Sequence, residues 1–435
     1  MKNKEVSGFS KWSKAEKIAW IAQTYFEDPQ QAVTTLQQYW NADEALQKLH
    51  DDFIENTVSN LYIPLGLAPN FLINSRWYTV PMAVEESSVV AAASKSAKYW
   101  AQRGGIKTEV LGTEKIGQVH FTFTGETEQL QAWIAEITPL FYADTDFITH
   151  NMRQRGGGIT GIELRNKTAE LASYYQLHLR FETGDAMGAN FINSVLEQIA
   201  TTLQDAFASA NIDGELNVIM SILSNYVPNC VVRATVSCPI EDLVEKNIPD
   251  GLAFAEKFIQ AVRIAEIEPY RAVTHNKGIM NGVDAVVLAT GNDFRAIEAG
   301  VHAYAAKEGQ YSSLSHAEIK DGIFTFWVDL PLALGTVGGL TKLHPLVKFN
   351  LELLGKPSAK ELMQIMAAAG LMQNFAALKS LTTTGIQAGH MKMHLNNMLI
   401  QVNATPEETE AVKIHFKKHA ISHAAFMQFI ENLRK

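Results

Sequence analysis

Only two cysteines, Cys230 and Cys238, occur in 435 residues. Two thiols cannot staple a chain of this length, so disulfides do not hold it together. A cysteine in such a chain is more often a small buried apolar residue than a nucleophile. No window reaches the roughly 18 to 20 uncharged apolar residues that a membrane-spanning helix requires. The lysine-rich stretch 1–20 has no apolar core of leader length, so a cytoplasmic protein without membrane contact is expected. Surplus positive charge is missing as well. A formal net charge of −9 excludes nucleic acid as the main partner, yet leaves room for a local basic pocket around a phosphorylated cofactor. Neither the G-x-G-x-x-G fingerprint nor a Walker loop is present, and no internal repeat is visible.

What is present is a globular composition, 47% hydrophobic and 19% charged, with enough length for two or three cores. Apolar residues at helical spacing (Ile18, Ile21, Ala22; Leu36, Tyr39, Trp40) predict helices over 11–50. Short apolar runs broken by Pro64, Gly66, Pro69 and Asn70 predict strands and turns over 61–80, followed by a helix of small residues over 87–100. The stretch from about 113 to 236 reads β-α-β-β-α-β, the order of a ferredoxin-like unit: strands at 118–124, 159–165, 174–181 and 231–236, helices at 126–141 and 188–208. Beyond 240 come long helices over 251–267 and 293–307, a strand pair around Gly322 and a glycine-rich segment at 335–339. The last fifty or so residues read as a helical appendage with a short strand at 398–402. The expected fold is therefore mixed α/β (α+β), with a small domain inserted into a larger one.

Five segments carry polar groups dense enough for chemistry. Pro81-Met82-Ala83-Val84-Glu85-Glu86-Ser87-Ser88 leads into the small-residue helix, where paired carboxylates serve either as caps or as acids. Residues 270–282 pack Arg271, Thr274, His275, Asn276 and Lys277 just ahead of two glycines, Gly278 and Gly282, in what reads as a polar turn. A lysine there can stabilise an oxyanion and an arginine can clamp a carboxylate. Ala289-Thr290-Gly291-Asn292-Asp293 reads as the end of a strand (285–289) handing over to a helix, with Asp293 as an N-cap or a site residue. Gly184-Asp185-Ala186-Met187-Gly188-Ala189-Asn190 precedes a long helix whose first amides could hold a pyrophosphate. Finally, His390 and His394 share one helix face in Gly389-His390-Met391, at a metal-pair spacing but without a third ligand, so no metal is expected.

Taken together and in this order, with Val337-Gly338-Gly339, these segments resemble the hydroxymethylglutaryl-CoA reductases, specifically the soluble bacterial class II enzymes. The likeness runs from about Glu55-Asn56 through the C-terminal segment. It implies a large α/β domain in two parts (1–112 and 225–381), an inserted dinucleotide-binding domain (113–224) without a Rossmann fold, and a C-terminal flap (382–435). It also implies four-electron reduction of hydroxymethylglutaryl-CoA to mevalonate and CoA by a nicotinamide cofactor, in a homodimer with shared active sites, possibly a hexamer. Residue by residue, Glu86 matches the catalytic acid, Lys277 the oxyanion-stabilising lysine, Asp293 the tuning carboxylate and His390 the group that protonates the leaving thiolate. Ser88, Arg271, Thr274, Asn281 and Gln373 match substrate-binding positions. Asp185, Met187, Gly188, Asn190 and Asn225 match cofactor-binding ones.

Two departures stand out. Relatives often carry proline where this chain has Ser87. Members preferring NAD carry an acid a few positions before the glycines of the small domain, where this chain has Thr149 among His150, Arg153 and Arg155. An acid would bond the ribose 2′-hydroxyl, whereas basic residues attract a 2′-phosphate. NADPH is therefore expected over NADH. With NADH preferred, the alternative is a degradative enzyme that oxidises mevalonate.

Overall fold

The computed structural model describes residues 5–383, 395, 398–416, 419 and 421–435. Residues Met1–Pro64 form one compact unit and Leu65–Lys435 another. In the first, α1 (Lys14–Tyr25) starts at a Ser13–Glu16 capping box, α2 (Pro29–Gln38) at Asp28 with proline in its first turn, and α3 (Glu44–Asp51) at Asp43. Each start follows from a side-chain oxygen accepting bonds from orphan amides. Lys14 bridges α1 to α3 through Asp51 at 2.7 Å.

The second unit opens with an antiparallel hairpin of β1 (Leu65–Ile73) and β2 (Arg76–Ala83). Its turn residues Asn74 and Ser75 are both left-handed, with φ 46° and 67°, the geometry that matches strand twist. Helix α4 (Val89–Ala101) and the short β3 (Lys107–Val110) follow. Next come β4 (Lys115–Phe123), α5 (Thr127–Asp144), α6 (Asp146–Arg153), β5 (Gly158–Asn166), β6 (Tyr174–Glu182), α7 (Ala189–Ala208) and β7 (Leu216–Ser224). Strands β4 to β7 form one antiparallel sheet in the order β5-β6-β4-β7. Its own core gathers Val119, Phe121, Leu177, Leu179, Leu196 and Leu203 beneath α5 and α7.

Then β8 (Val231–Pro239), α8 (Gly251–Ile267), α9 (Pro269–Ala289), α10 (Phe294–Ala305), β9 (Ser315–Lys320) and β10 (Ile323–Pro331) build the larger core, with α11 (Leu340–Leu343), α12 (Pro345–Leu353) and α13 (Ala359–Thr382). The second sheet runs β3-β8-β10-β9, also antiparallel. Phe258, Phe324, Phe326 and Phe375 pack ring against ring between it and the helices, at centroid distances of 5.0 to 6.4 Å. Helices α14 (Pro406–His415) and α15 (His423–Leu433) close the chain around Val412, Phe426 and Ile430.

Mixed helix and sheet is thus what the sequence leads one to expect, with three local corrections. The strand closing the small sheet is β7, not 231–236, which lies in the other sheet against β10 and β3. Strand β7 hides its period because Ile219, Met220 and Ile222 stay exposed at a sheet edge. The polar turn at 270–282 and the strand at 285–289 are instead one 21-residue helix, α9. Its apolar face (Ala272, Ile279, Met280, Val283, Val286, Val287) keeps helical spacing through both stretches, and packing overrides the two glycines. Residues 398–401 are helical rather than extended.

Helices α9 and α13 meet backbone to backbone. A Cβ on Gly282 would lie 2.5 Å from the Ala369 carbonyl oxygen, and one on Gly370 would lie 2.9 Å from a Val283 methyl. Glycine is used here for close approach, which offsets its helix cost of about 1 kcal/mol.

Candidate functional site

A cavity of about 750 Å³ opens where the β2–α4 turn faces α9 and α13. Strand β2 ends at Ala83 and the chain turns through Glu85 and Glu86 before α4, whose N-cap Ser88 makes no side-chain cap. Glu86 Oε2 lies 3.3 Å from the Lys277 ammonium on α9, and its Oε1 accepts a bond from the Ser88 hydroxyl at 3.3 Å. Thr274, Lys277, Gly278 and Asn281 come from one face of α9, Gln373 from α13 opposite, and all five line the cavity. The i, i+3/i+4 spacing of 274, 277, 278 and 281 is what puts them on a single stripe.

Two polar groups on α9 and α13 lack the partners that burial normally demands among the described residues, Gln373 lining the cavity and Arg271 outside its lining. Gln373, 7% exposed, has a side-chain oxygen with no hydrogen-bond partner among the described residues. A buried orphan acceptor costs about 1 to 3 kcal/mol, which a ligand donor would recover. Arg271, in the first turn of α9, is half-buried and has no carboxylate partner among the described residues. Burial lowers its pKa.

The far wall of the cavity was not foreseen. Lys379, near the end of α13, pairs with Glu245 at 2.5 Å and lies 3.9 Å from the ring centroid of Tyr99, whose other cation is Arg103 at 3.6 Å. Burial lowers the Lys379 pKa, with Glu245 opposing, and burial raises that of Tyr99. Only the small-residue texture of α4 hinted at close approach there; Glu245 and Lys379 carry no local signal.

Asp293 lies outside this wall. It caps α10, accepting from the amides of Arg295 and Ala296, and pairs with the Arg295 guanidinium at 3.1 Å. Burial would raise its pKa, but Arg295 and the capped amides outweigh that and hold it below the ordinary carboxylate value. It follows a helix rather than the expected strand, so the strand-end argument for its placement does not apply. His390 and His394 fall outside the described residues. Both cysteines are buried and free, and burial pushes their thiols up to about 11, which makes them inert. No metal-holding cluster occurs among the described residues.

The second expected site sits on the small sheet. Gly184 and Gly188 take φ 55° and 93° in the turn between β6 and α7. Gly188 caps the 20-residue α7, so its N-cap brings no side chain to the first amides beside Asn190. Asp185 accepts from the Ala359 amide at 2.7 Å and its carbonyl accepts from Thr336 at 2.9 Å. A Cβ on Gly335 would lie 2.4 Å from the Met187 nitrogen. Asn225 follows β7, its carbonyl pressed against Gly300. Thr149 is 3% exposed within α6, so it cannot face a ribose. At that surface Arg153 pairs with Asp146 and His150 contacts Gln154, while Arg155 is exposed with no carboxylate partner among the described residues.

This mixed fold is similar to solved class II 3-hydroxy-3-methylglutaryl-CoA reductases. One from Streptococcus pneumoniae aligns at a TM-score of 0.73 and 34% identity, covering 98% of this chain and 100% of that one. Another from the same organism, bound to NADPH in open conformations, aligns at 0.72 and 34%, covering 93% and 99%. A 3-hydroxy-3-methylglutaryl-coenzyme A reductase of Archaeoglobus fulgidus is 37% identical over 413 residues, covering 94% of this chain and 89% of its own. The family model for hydroxymethylglutaryl-coenzyme A reductase matches residues 13–395. The chain belongs to that family, a family of oxidoreductases. Among the described residues, no helix is long and apolar enough to cross a membrane.

Proposed function

We propose that this chain reduces (S)-3-hydroxy-3-methylglutaryl-CoA to mevalonate and CoA, drawing on two molecules of NADPH, in the mevalonate route of isoprenoid biosynthesis in the cytoplasm. The observation that carries the reading is the Glu86–Lys277 pair at 3.3 Å, at the rim of a cavity that also holds the unpartnered Gln373 oxygen.

The residues suit each part of that chemistry. Ser88, Thr274 and Asn281 supply hydroxyl and amide groups to the acyl end, and Arg271 supplies a guanidinium for its carboxylate. Gln373 gains a donor from the substrate. NADPH supplies a hydride at each of two stages. Lys277 holds a positive charge where each stage puts negative charge on the carbonyl oxygen, the preorganised stabilisation that usually contributes most to such reactions. Glu86, within reach of that lysine, delivers the proton. Collapse of the intermediate hemithioacetal releases a thiolate, which His390 protonates. Asp293, the proposed tuning carboxylate, must exchange Arg295 for Lys277 and Glu86. The exposed Tyr270 and Val273 on the same helix support a homodimer that shares its sites.

The dinucleotide fits the turn at 184–190 of an inserted domain spanning 113–224. The uncapped start of α7 supplies amides for a pyrophosphate, with Met187, Gly188 and Asn190 around it and Asn225 beyond β7. Arg155 and His150 favour a 2′-phosphate over a bare ribose, and the NADPH-bound state of the pneumococcal neighbour is consistent with that.

The test gives purified protein hydroxymethylglutaryl-CoA with NADPH or NADH in separate assays. Two cofactors oxidised per CoA released, faster with NADPH, is the expected result. Faster NADH turnover would redirect the reading to mevalonate breakdown, and no oxidation of either would overturn it.

A further inference from the structure

A lysine shut away from solvent needs a reason to be where it is. Lys115 opens β4 and is 5% exposed. Its ammonium donates to the Thr183 hydroxyl at 2.6 Å and has no ion pair among the described residues. Burial lowers its pKa, with Cys230 and Glu182 opposing, and the Glu182 carboxylate is itself engaged by the Thr113 hydroxyl at 2.7 Å. Leaving an ammonium in such a place is costly, since desolvation penalises the charged form.

The hydroxyl that it holds leads directly into the turn after β6. With one lone pair taken by Lys115, Thr183 Oγ1 donates its own proton to the Ala186 carbonyl at 2.7 Å. Donor chains of this kind polarise one another and fix the hydroxyl rotor. The methyl of Thr183 also backs Gly188, where any Cβ would come within 2.5 Å of it. From the other side the turn is held by Ala359, Thr336 and Gly335, as described. Neither Lys115 nor Thr183 lines the 750 Å³ cavity.

We propose that Lys115 is a positioning residue for the dinucleotide: through Thr183 it fixes the 184–188 turn so that the amides of α7 are preset for an anionic phosphate. This rests on the reading that the turn receives NADPH. The mechanism is preorganisation, in which ordering the turn before binding removes that cost from the affinity.

Lys115→Met and Thr183→Val are the variants that test it, with Thr183→Ser as the one that keeps the hydroxyl. Loss of one charge-assisted bond predicts roughly tenfold weaker NADPH binding by fluorescence titration. Affinity for hydroxymethylglutaryl-CoA by calorimetry should stay within about twofold, because the cavity shares no residue with the pair. Amide exchange over 184–190 should speed up in the unliganded protein, Thr183→Ser should restore both readouts, and the double variant should be no worse than either single one. Unchanged exchange and NADPH affinity, or parallel weakening of both ligands with a lower melting temperature, would overturn the proposal. Should Lys115→Met not fold, Thr183→Val and its serine rescue decide. Asn190→Ala separates the two readings. If it leaves NADPH affinity intact, the dinucleotide lies elsewhere. If it weakens NADPH while Lys115→Met does not, only the positioning role fails.

Discussion

The two polar sites of the molecule are built on opposite plans. Around the cavity, Lys277 and Gln373 project from two long helices packed closely through Gly282, against the Ala369 carbonyl, and Gly370, against Val283 and Ile279, inside the largest core. On the small sheet, the 184–188 turn holds its place through single bonds from Ala359, Thr336 and Thr183, whose hydroxyl Lys115 holds in turn. The first plan fixes side chains by packing, and the second fixes amides by hydrogen bonds. On the proposed function, the cavity groups stabilise developing charge and need the stiffer mount, whereas the turn takes up and releases a cofactor and is better held by a few separable bonds.

Breaking the first plan at its tip should cost most. Lys277→Ala should lower kcat by about 10²- to 10³-fold. The side chain is 63% exposed, so the melting temperature should barely move. Near-normal turnover in a cofactor-oxidation assay would remove the lysine from its proposed role. Breaking the plan at its base should act on stability instead. Gly282→Val places atoms against the Ala369 carbonyl and should cost roughly 3 kcal/mol, toward the upper end for overpacking; urea unfolding measures it, and a loss below about 1 kcal/mol would mean that α9 and α13 can part.

The smallest effect comes from pH. His275, on the buried face of α9, is 2% exposed, and its Nε2 contacts the Ser315 hydroxyl at 2.6 Å. Burial first, then Arg271 and His316, push its pKa down to about 3 from an ordinary 6.5. The native state therefore keeps this imidazole neutral while the unfolded chain takes up a proton. Stability from this group is whole above pH 6.5 and falls as pH drops towards 3. Between pH 7 and 5 the loss should be about 2 kcal/mol. A His275→Gln variant should flatten that slope in denaturant titrations; an unchanged slope would assign it to other groups.

Much of this was legible in the residues, and the exceptions have physical causes. The helical spacing over 11–50, the small-residue helix α4 and the helix over 188–208 act locally, so they read directly. Helix α9 did not, because Gly278 and Gly282 mimic a turn until Ala369 is known to press against the second of them. Strand β7 was missed because an edge strand with exposed Ile219, Met220 and Ile222 shows no alternation. The cavity's near wall, from Glu86 to Asn281, sits on two short motifs and could be anticipated. Its far wall joins Tyr99, Glu245 and Lys379, which are separated by more than a hundred residues of chain and meet only through the fold. Asp293 was legible as a cap, and a cap is what the single chain makes of it.

The contact at Gly282 and Gly370 has a further consequence. Two rods this close at Gly282, with room at Gly370 only for the Val283 and Ile279 methyls, have little slack, so the gap from Lys277 to Gln373 behaves as the fixed jaw of a gauge. On the proposed function, acyl groups that differ in length or branching meet a span that cannot stretch to suit them. Any drift towards a new substrate must therefore come from exchanging the side chains that line the jaw, because the spacing of the rods is already at its minimum.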